Sequence, residues 1–238
     1  MDYLYKKSGT IFNAHSYWTK QPVEVVKKFI EKNSTEGDVI LDPFCGSGMT
    51  GVAAISTNRR FVLSDISPIC VHIAKGYCNK FINADIEKEL QILEKKIFHL
   101  YATKCPYCNK ITPIDYSILL DELEKKGLVE CDKLVGHCCH CKQKFKKNPS
   151  YDDLLIHNTD EYKKHFYPTE FLFGNEPKRN FKRGIYQVFQ LYSKRNLSAL
   201  SILKENIEAI DNQDIKQLFL FAFTAILFNC SLFLFNFA

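Results

Sequence analysis

Apolar positions recur at helical spacing at Val23, Val26, Phe29 and Ile30, with Lys27, Lys28, Glu31 and Lys32 on the other face. Pro22 suits the first turn of that helix, and the polar run Asn33–Gly37 ends it. Val39, Ile40 and Leu41 are three apolar residues in succession, as are Phe61, Val62 and Leu63. Each run reads as a short buried parallel strand. The small residues Thr50–Ser56 between them predict a helix starting near Met49. Further on, Ile86, Leu90, Leu93, Ile97 and Leu100 fall at steps of three and four and predict a long exposed helix over Asp85–Leu100. Tyr116–Lys126 also reads as helical, Tyr151–Phe166 as irregular with a short helix, and Leu197–Ile210 and Ile215–Phe228 as two helices.

The first strand runs into Asp42-Pro43-Phe44-Cys45-Gly46-Ser47-Gly48, and the second ends at Asp65. A glycine loop between strand and helix lets backbone N–H groups approach a ligand closely. That is the geometry that binds nucleoside cofactors at the carboxyl end of a central strand. Gly46, Gly48 and Gly51 fit the dinucleotide spacing, so a nicotinamide cofactor is one reading. Asp42 opposes it, because a carboxylate at the strand end repels a pyrophosphate. It suits a cationic ligand end instead, such as the ammonium of S-adenosylmethionine. Asp65 can accept both ribose hydroxyls through its two oxygens, and Asp65 or Ser67 can also cap the helix that Pro68 opens.

The segment DPFCGSGMTG resembles the cofactor motif of S-adenosylmethionine-dependent DNA amino-methyltransferases, with Met49 in place of the usual Thr. The resemblance implies a Rossmann-like α/β fold, with Asp42 at the methionine end of the cofactor. Pro43 and Phe44 would flank the cofactor, the Gly46–Gly48 backbone would pass beneath it, and Asp65 would hold the ribose. It also implies that Thr19, Lys20 and Pro22, from the segment before the first helix, wall the cofactor from the other side; Tyr17 and Trp18 would otherwise simply cover that helix. The likeness is strongest over His15–Tyr77 and weak beyond Tyr151.

Composition changes this picture in one respect. The 238 residues are 46% hydrophobic and 25% charged, with a formal charge of +5, which permits nucleic acid without requiring it. The ten cysteines, in a chain whose first residues show no signal peptide, point to metal ligands and reduced thiols in the cytoplasm. Cys105-Pro-Tyr-Cys108 and Cys138-Cys-His-Cys141 are two C-x-x-C pairs, and each turn aims two thiolates at one tetrahedral ion. They predict a structural zinc site, with Cys131, His137, Cys139 and His140 as spare donors. Cys45, Cys70 and Cys78 read as small buried fillers. Lys142, Lys144, Lys146 and Lys147 beside the second pair are a candidate phosphate contact.

In the tail, Lys178, Arg179, Lys182, Arg183 and Arg195 could line a nucleic-acid groove and Tyr186 and Tyr192 stack bases; equally they are helix faces and core. Leu218–Ala238 is nearly all apolar and long enough for a membrane span, but a buried helix is preferred, and its abrupt apolar end resembles a polypeptide cut short. The family's catalytic element, a polar residue followed by Pro-Pro and an aromatic, has no counterpart here, so the catalytic residues are unknown. Asn148-Pro149-Ser150-Tyr151 is a near miss with no strand-like run leading into it. The expected organisation is an incomplete α/β half-domain over 1–83 that binds S-adenosylmethionine, a helix and zinc insertion over 84–149, and a helical segment over 150–238. The expected function is methyl transfer to the exocyclic amino group of adenine or cytosine in DNA, perhaps within a restriction–modification system. By the resemblance the chain is expected to be an N-terminal portion that stops before the catalytic loop, and whether a second polypeptide supplies that loop is left open by the sequence. The alternative is a zinc-dependent nucleic-acid-binding protein with a non-catalytic cofactor fold.

Overall fold

A computed structural model describes residues 13–79, 83–120, 130–174 and 177–232. It combines helices with small parallel and antiparallel sheets and divides into two compact units, Met1–Ile86 with Ile210–Leu227, and Glu87–Ala209 with Phe228–Ala238.

In the first unit, helix α1 (Val23–Asn33) leads to strand β1 (Val39–Asp42), helix α2 (Met49–Ser56), strand β2 (Arg60–Leu63) and helix α3 (Pro68–Cys78). β1 and β2 pair in parallel, with Leu41 opposite Val62 and Asp42 opposite Leu63. Their register follows from the strand alternation. Ile40 and Phe61 point to one face, where they pack with Ile30 of α1 and Ala53 and Ala54 of α2. Ala53 and Ala54 are fully buried because only a methyl-sized side chain lets α2 lie so close to the strands. The expectation of buried strands holds for this face alone. Val39, Leu41 and Val62, on the other face, are 51%, 68% and 53% exposed. Three consecutive apolar residues read as burial on both faces, yet no described helix covers the second one.

Helix α8 (Gln213–Ile226) also belongs to this unit and packs on α3. A Cβ at Gly76 would lie 2.1 Å from the Phe221 ring, so the absence of a side chain there sets the approach of the two helices. A polar chain fixes the N-terminal segment to the same helix. His15 Nδ1 lies 2.8 Å from the Ser16 carbonyl, so it carries the proton. His15 Nε2 and His72 Nε2 lie 3.1 and 2.9 Å from the Thr224 hydroxyl, which itself donates to the Phe221 carbonyl at 3.0 Å. Burial, and then the nearby His15, hold the His72 imidazole below its usual pKa, in keeping with a neutral ring. Among the described residues no helix is long and apolar enough to cross a membrane; residues 233–238 of the apolar tail lie outside the described set.

The second unit takes in most of helix α4 (Asn83–Tyr101), which forms as its periodicity predicts. Strands β3 (Ala102–Lys104) and β4 (Ile111–Pro113) form one antiparallel hairpin. β5 (Tyr116–Leu120), β6 (Glu130–His137) and β7 (Lys144–Lys147) form an antiparallel sheet in that order. The predicted helix over Tyr116–Lys126 is therefore wrong over its first five residues, which form β5; residues 121–126 lie outside the described set. The helical signal comes from the charge-rich residues 121–126, whereas Tyr116 and Ile118 are strand formers that pair with β6. Helices α5 (Tyr151–His157), α6 (Lys178–Phe181) and α7 (Lys194–Glu208) complete the unit.

A strand, β7, does lead into Asn148, contrary to expectation. The tetrapeptide it reaches is a helix cap. The Ser150 hydroxyl accepts the Asp153 N–H while the Asp153 carboxylate accepts the Ser150 N–H at 2.8 Å. For Arg195 the structure decides between the two readings of the tail. It is 6% exposed, donates to the Ser117 hydroxyl at 2.7 Å and lies over the Tyr101 ring, so it belongs to the interior and not to a groove.

Candidate cofactor site and cysteine cluster

β1 ends at Asp42, and the chain turns at once. The Asp42 carboxylate accepts the Phe44 N–H at 3.1 Å and the Thr50 hydroxyl at 2.6 Å, which fixes it at the mouth of the turn. Gly46 and Gly48 have φ of 51° and 80°, the left-handed region that favours glycine. A Cβ at Gly48 would fall 2.6 Å from Ala74 Cβ and 2.7 Å from its Cα, so the loop lies directly on α3. At the end of β2, Asp65 reaches across to the same loop. One carboxylate oxygen accepts the Gly46 N–H and the other the Ser67 N–H, each at 2.9 Å. Those two backbone donors hold the Asp65 carboxyl below the usual carboxylate range. Two acids at the carboxyl ends of neighbouring parallel strands thus flank one glycine bend.

Large apolar side chains border this bend in solvent. Phe44 is 85% exposed, and Ile66, next to Asp65, is fully exposed. Trp18 is 96% exposed, so it does not cover α1. Its neighbour Tyr17 packs over Gly46, whose Cβ would lie 3.1 Å from the Tyr17 hydroxyl. A bond to the Cys70 thiol, 3.4 Å away, raises the Tyr17 phenol above its ordinary pKa. Of the other residues expected to wall the site, Thr19 is exposed and Pro22 immediately precedes α1. Lys20 is buried and donates to the His15 carbonyl and, at 3.1 Å, to the Tyr77 hydroxyl; burial holds its ammonium below the usual range. Pro43 lies in the turn after β1, and its carbonyl accepts the Ser64 hydroxyl at 3.2 Å. Thr50, Tyr17 and Ile66 escaped the sequence reading. The signal for Ile66 was there, since an apolar residue directly after the acid that follows β2 has little reason to sit in a polar loop. A separate cavity of about 380 Å³ lies between α3, β2 and the start of α8; Cys45 and Cys78 line it with Phe61 and Leu63, and none of the candidate cofactor residues does.

Residues 2–76 match the family model described as DNA methylase. Over this segment the chain is similar to that family. The match covers the segment just described, from the residues before α1 to the middle of α3. Its curated relatives are enzymes. A type II methyltransferase of Lactococcus lactis subsp. cremoris, M2.LlaDCHI, is 39% identical over 77 residues, which are 32% of this chain and 28% of the relative. The type II methyltransferase M2.DpnII of Streptococcus pneumoniae is 42% identical over 57 residues, 24% of this chain and 21% of the relative. The DNA adenine methyltransferase YhdJ of Escherichia coli K12 is 41% identical over 49 residues, 21% of this chain and 17% of that protein. The chain therefore spans less than a third of the length of each of these methylases. No solved structure matches it.

In the second unit the two C-x-x-C pairs occupy matching turns. Cys105 and Cys108 lie between β3 and β4, and Cys138 and Cys141 between β6 and β7. The turns repeat each other. Asn109 and Lys142 both take positive φ, 58° and 60°, and both return a 3.0 Å hydrogen bond to the carbonyl of the first cysteine. The Tyr107 N–H points at the Cys105 sulfur at 3.5 Å and the His140 N–H at the Cys138 sulfur at 3.4 Å. The Cys105–Cys141 sulfurs are 3.7 Å apart and the Cys108–Cys138 sulfurs 3.6 Å, with all four inside 4.8 Å. A tetrahedron with metal–sulfur bonds of about 2.3 Å has an edge of about 3.8 Å, so the four thiols fit one such ion. Three of the four spare donors are engaged elsewhere, and Cys139 is exposed. His137 and His140 ring nitrogens face the Lys142 and Ile111 carbonyls at 2.8 and 2.9 Å, and Cys131 packs with Leu134 and Phe145. Lys142, Lys144 and Lys146 are exposed beside the cluster, whereas Lys147 is paired with the buried Asp153 at 2.8 Å and is not free for phosphate.

Proposed function

We propose that this chain carries the S-adenosylmethionine half-site of a DNA amino-methyltransferase on a Rossmann-like framework, with a structural zinc module. The supporting observation is the pair Asp42 and Asp65, which stand on either side of a glycine bend beside the exposed Phe44 and Ile66. When bound, the cofactor supplies an electrophilic methyl group. Asp42 would take its ammonium and Asp65 its ribose hydroxyls, and Phe44 and Ile66 would shield its flat base from water. The acceptor would be an exocyclic amino nitrogen of adenine or cytosine, which would lose a proton as it takes the methyl, leaving S-adenosylhomocysteine. No covalent enzyme intermediate is needed. The four cysteines would hold zinc with no open position for water, so the ion's role is structural. We keep the division into 1–83, 84–149 and 150–238 as cofactor half-domain, zinc insertion and helical segment, in a cytoplasmic protein.

The exposed face Val39, Leu41 and Val62 supports a missing partner. Parallel strands are covered on both faces in stable folds, so a second polypeptide that adds strands beside β1 and supplies the catalytic loop would also cover these residues. Calorimetry tests the first half of this reading: S-adenosylmethionine should bind saturably, and Asp42→Asn should weaken it. Unchanged affinity in that variant sinks the proposal. Methylation of plasmid DNA by the purified chain alone would remove the need for a partner. The second reading, a zinc-dependent nucleic-acid-binding protein with a silent cofactor fold, draws on the cysteine cluster and its exposed lysines. It predicts no heat with the cofactor, and DNA affinity that falls on charge reversal of Lys142, Lys144 and Lys146.

A further inference from the structure

The second unit contains a cavity of about 180 Å³ that the methyl-transfer reading does not use. It is smaller than a typical drug-sized pocket, and its lining is chemically uneven. Tyr162, Phe189 and Tyr192 give it aromatic walls. Two of them are braced by one ring: Tyr167 meets Tyr162 at 4.9 Å and Phe189 at 5.6 Å, both edge-on, which fixes the walls before any ligand arrives.

Two amide side chains add a polar edge of defined polarity. Gln190 accepts the Tyr186 and Gln187 N–H groups through Oε1 at 2.8 and 2.9 Å, so its orientation is set and its NH₂ remains to donate. Asn158 donates Nδ2 to the Leu154 carbonyl at 3.0 Å, so its oxygen remains to accept. A donor and an acceptor between aromatic walls is what the hydrogen-bonding edge of a nucleobase requires.

A cation stands at the same place. Arg183 lines the cavity, is partly exposed, and has no acid within ion-pair distance among the described residues. Lys194, which also lines it, is already paired with Asp160 at 2.8 Å. From Lys178 to Lys204 the sequence has seven basic residues and no acid, so this stretch as a whole favours an anion. Guanidinium binds phosphate in a two-pronged geometry.

We propose that this cavity is a nucleotide site that takes a base between its aromatic walls and a phosphate on Arg183. The nucleotide is either free in solution or one unit of a DNA strand turned out of its stack. The site lies wholly within the second unit and does not depend on the cofactor reading.

The test uses the full chain and the fluorescence of 2-aminopurine, which stacking quenches. One arm titrates its deoxynucleoside monophosphate, the other a short single-stranded oligonucleotide bearing one such base. Saturable quenching is expected in at least one arm, and the arm that responds identifies the source. Arg183→Glu should weaken binding at least about tenfold, and Asn158→Ala should weaken it with an unchanged far-ultraviolet spectrum. Lys178→Glu, an equal charge change outside the cavity, should leave the mononucleotide arm unaltered and serves as the folding-neutral control. No quenching in either arm overturns the proposal, and so does equal weakening by Arg183→Glu and Lys178→Glu. Asp42→Asn, which should weaken cofactor binding, should leave this site intact, so the two proposals fail separately.

Discussion

Replacing Gly48 or Gly46 by alanine adds the same methyl to one loop, yet the structure predicts different outcomes. Both glycines sit at positive φ, 80° and 51°, where an L-residue costs about 1–2 kcal/mol. At Gly46 the new Cβ would meet the Tyr17 hydroxyl at 3.1 Å, the far end of a side chain that can rotate away. Gly46→Ala should therefore lose about 1–2 kcal/mol and little more. At Gly48 the new Cβ would lie 2.6 Å from Ala74 Cβ and 2.7 Å from Ala74 Cα. Backbone of α3 cannot move without disturbing its own contacts, so overpacking adds about 1–3 kcal/mol. The total for Gly48→Ala is about 2–5 kcal/mol, a large part of a stability of about 5–15 kcal/mol. Urea unfolding followed by circular dichroism measures both; Trp18, 96% exposed, reports folding poorly. Equal destabilisation by the two substitutions would refute the claim that the loop is seated on α3.

Trp18 is the sole tryptophan and is almost fully exposed, so its emission should be that of a solvated indole and should change on titration with S-adenosylmethionine; an unchanged spectrum at saturating calorimetric heat would place it outside the cofactor site. Metal analysis of the purified chain should find a single zinc, and its removal by chelator, or Cys138→Ser, should lower the melting temperature of the second unit while the cofactor heat persists. Burial alone would raise the Asp153 carboxyl, but the Lys147 ion pair and the Thr103 and Ser150 donors outweigh it and hold it below the usual range. Its stabilising contribution is thus complete above the unfolded-state pKa of about 4 and is lost as pH falls through the lower folded value. Asp153→Ala should cost about 3 kcal/mol at neutral pH by leaving Lys147 unpaired, and should flatten that part of the acid-unfolding curve. Gly76→Ala should force Phe221 aside and destabilise the first unit by about 1–3 kcal/mol; a neutral result in the same urea assay would show that α8 is loosely held.

Much of the site could be read from residue order, because its parts are local. A run of β-branched residues, an acid, two glycines and a small-residue helix lie within 18 positions, and each piece forms where steric rules put it. The same holds for the cysteine turns, where two residues between thiols suffice to aim both at one point. Helix α4 was legible because a period of 3.6 repeats over its whole length. What failed was everything that depends on a distant partner. The residues of β5 run without a break into a helix-like charged stretch, and only pairing with β6, ten or more positions away, marks them as a strand. Arg195 looks like a surface cation beside its basic neighbours, but the Tyr101 ring and Ser117 take it inside. Lys147 looks like its neighbours Lys144 and Lys146 until Asp153 claims it. The strand triplet Val39–Leu41 promised burial on two faces, and the fold provides one.

By itself, then, the order of residues determined which segments are strand, loop and helix around Asp42 and Asp65, and which four thiols could meet. Tertiary structure alone decided that Asp65 reaches the Gly46 amide, that Thr50 fixes Asp42, and that Ile66 and Trp18 stand in solvent beside them. The reason is range. Backbone sterics and side-chain periodicity act within a turn or a strand, whereas a hydrogen bond between the ends of two strands exists only once their pairing has placed them side by side.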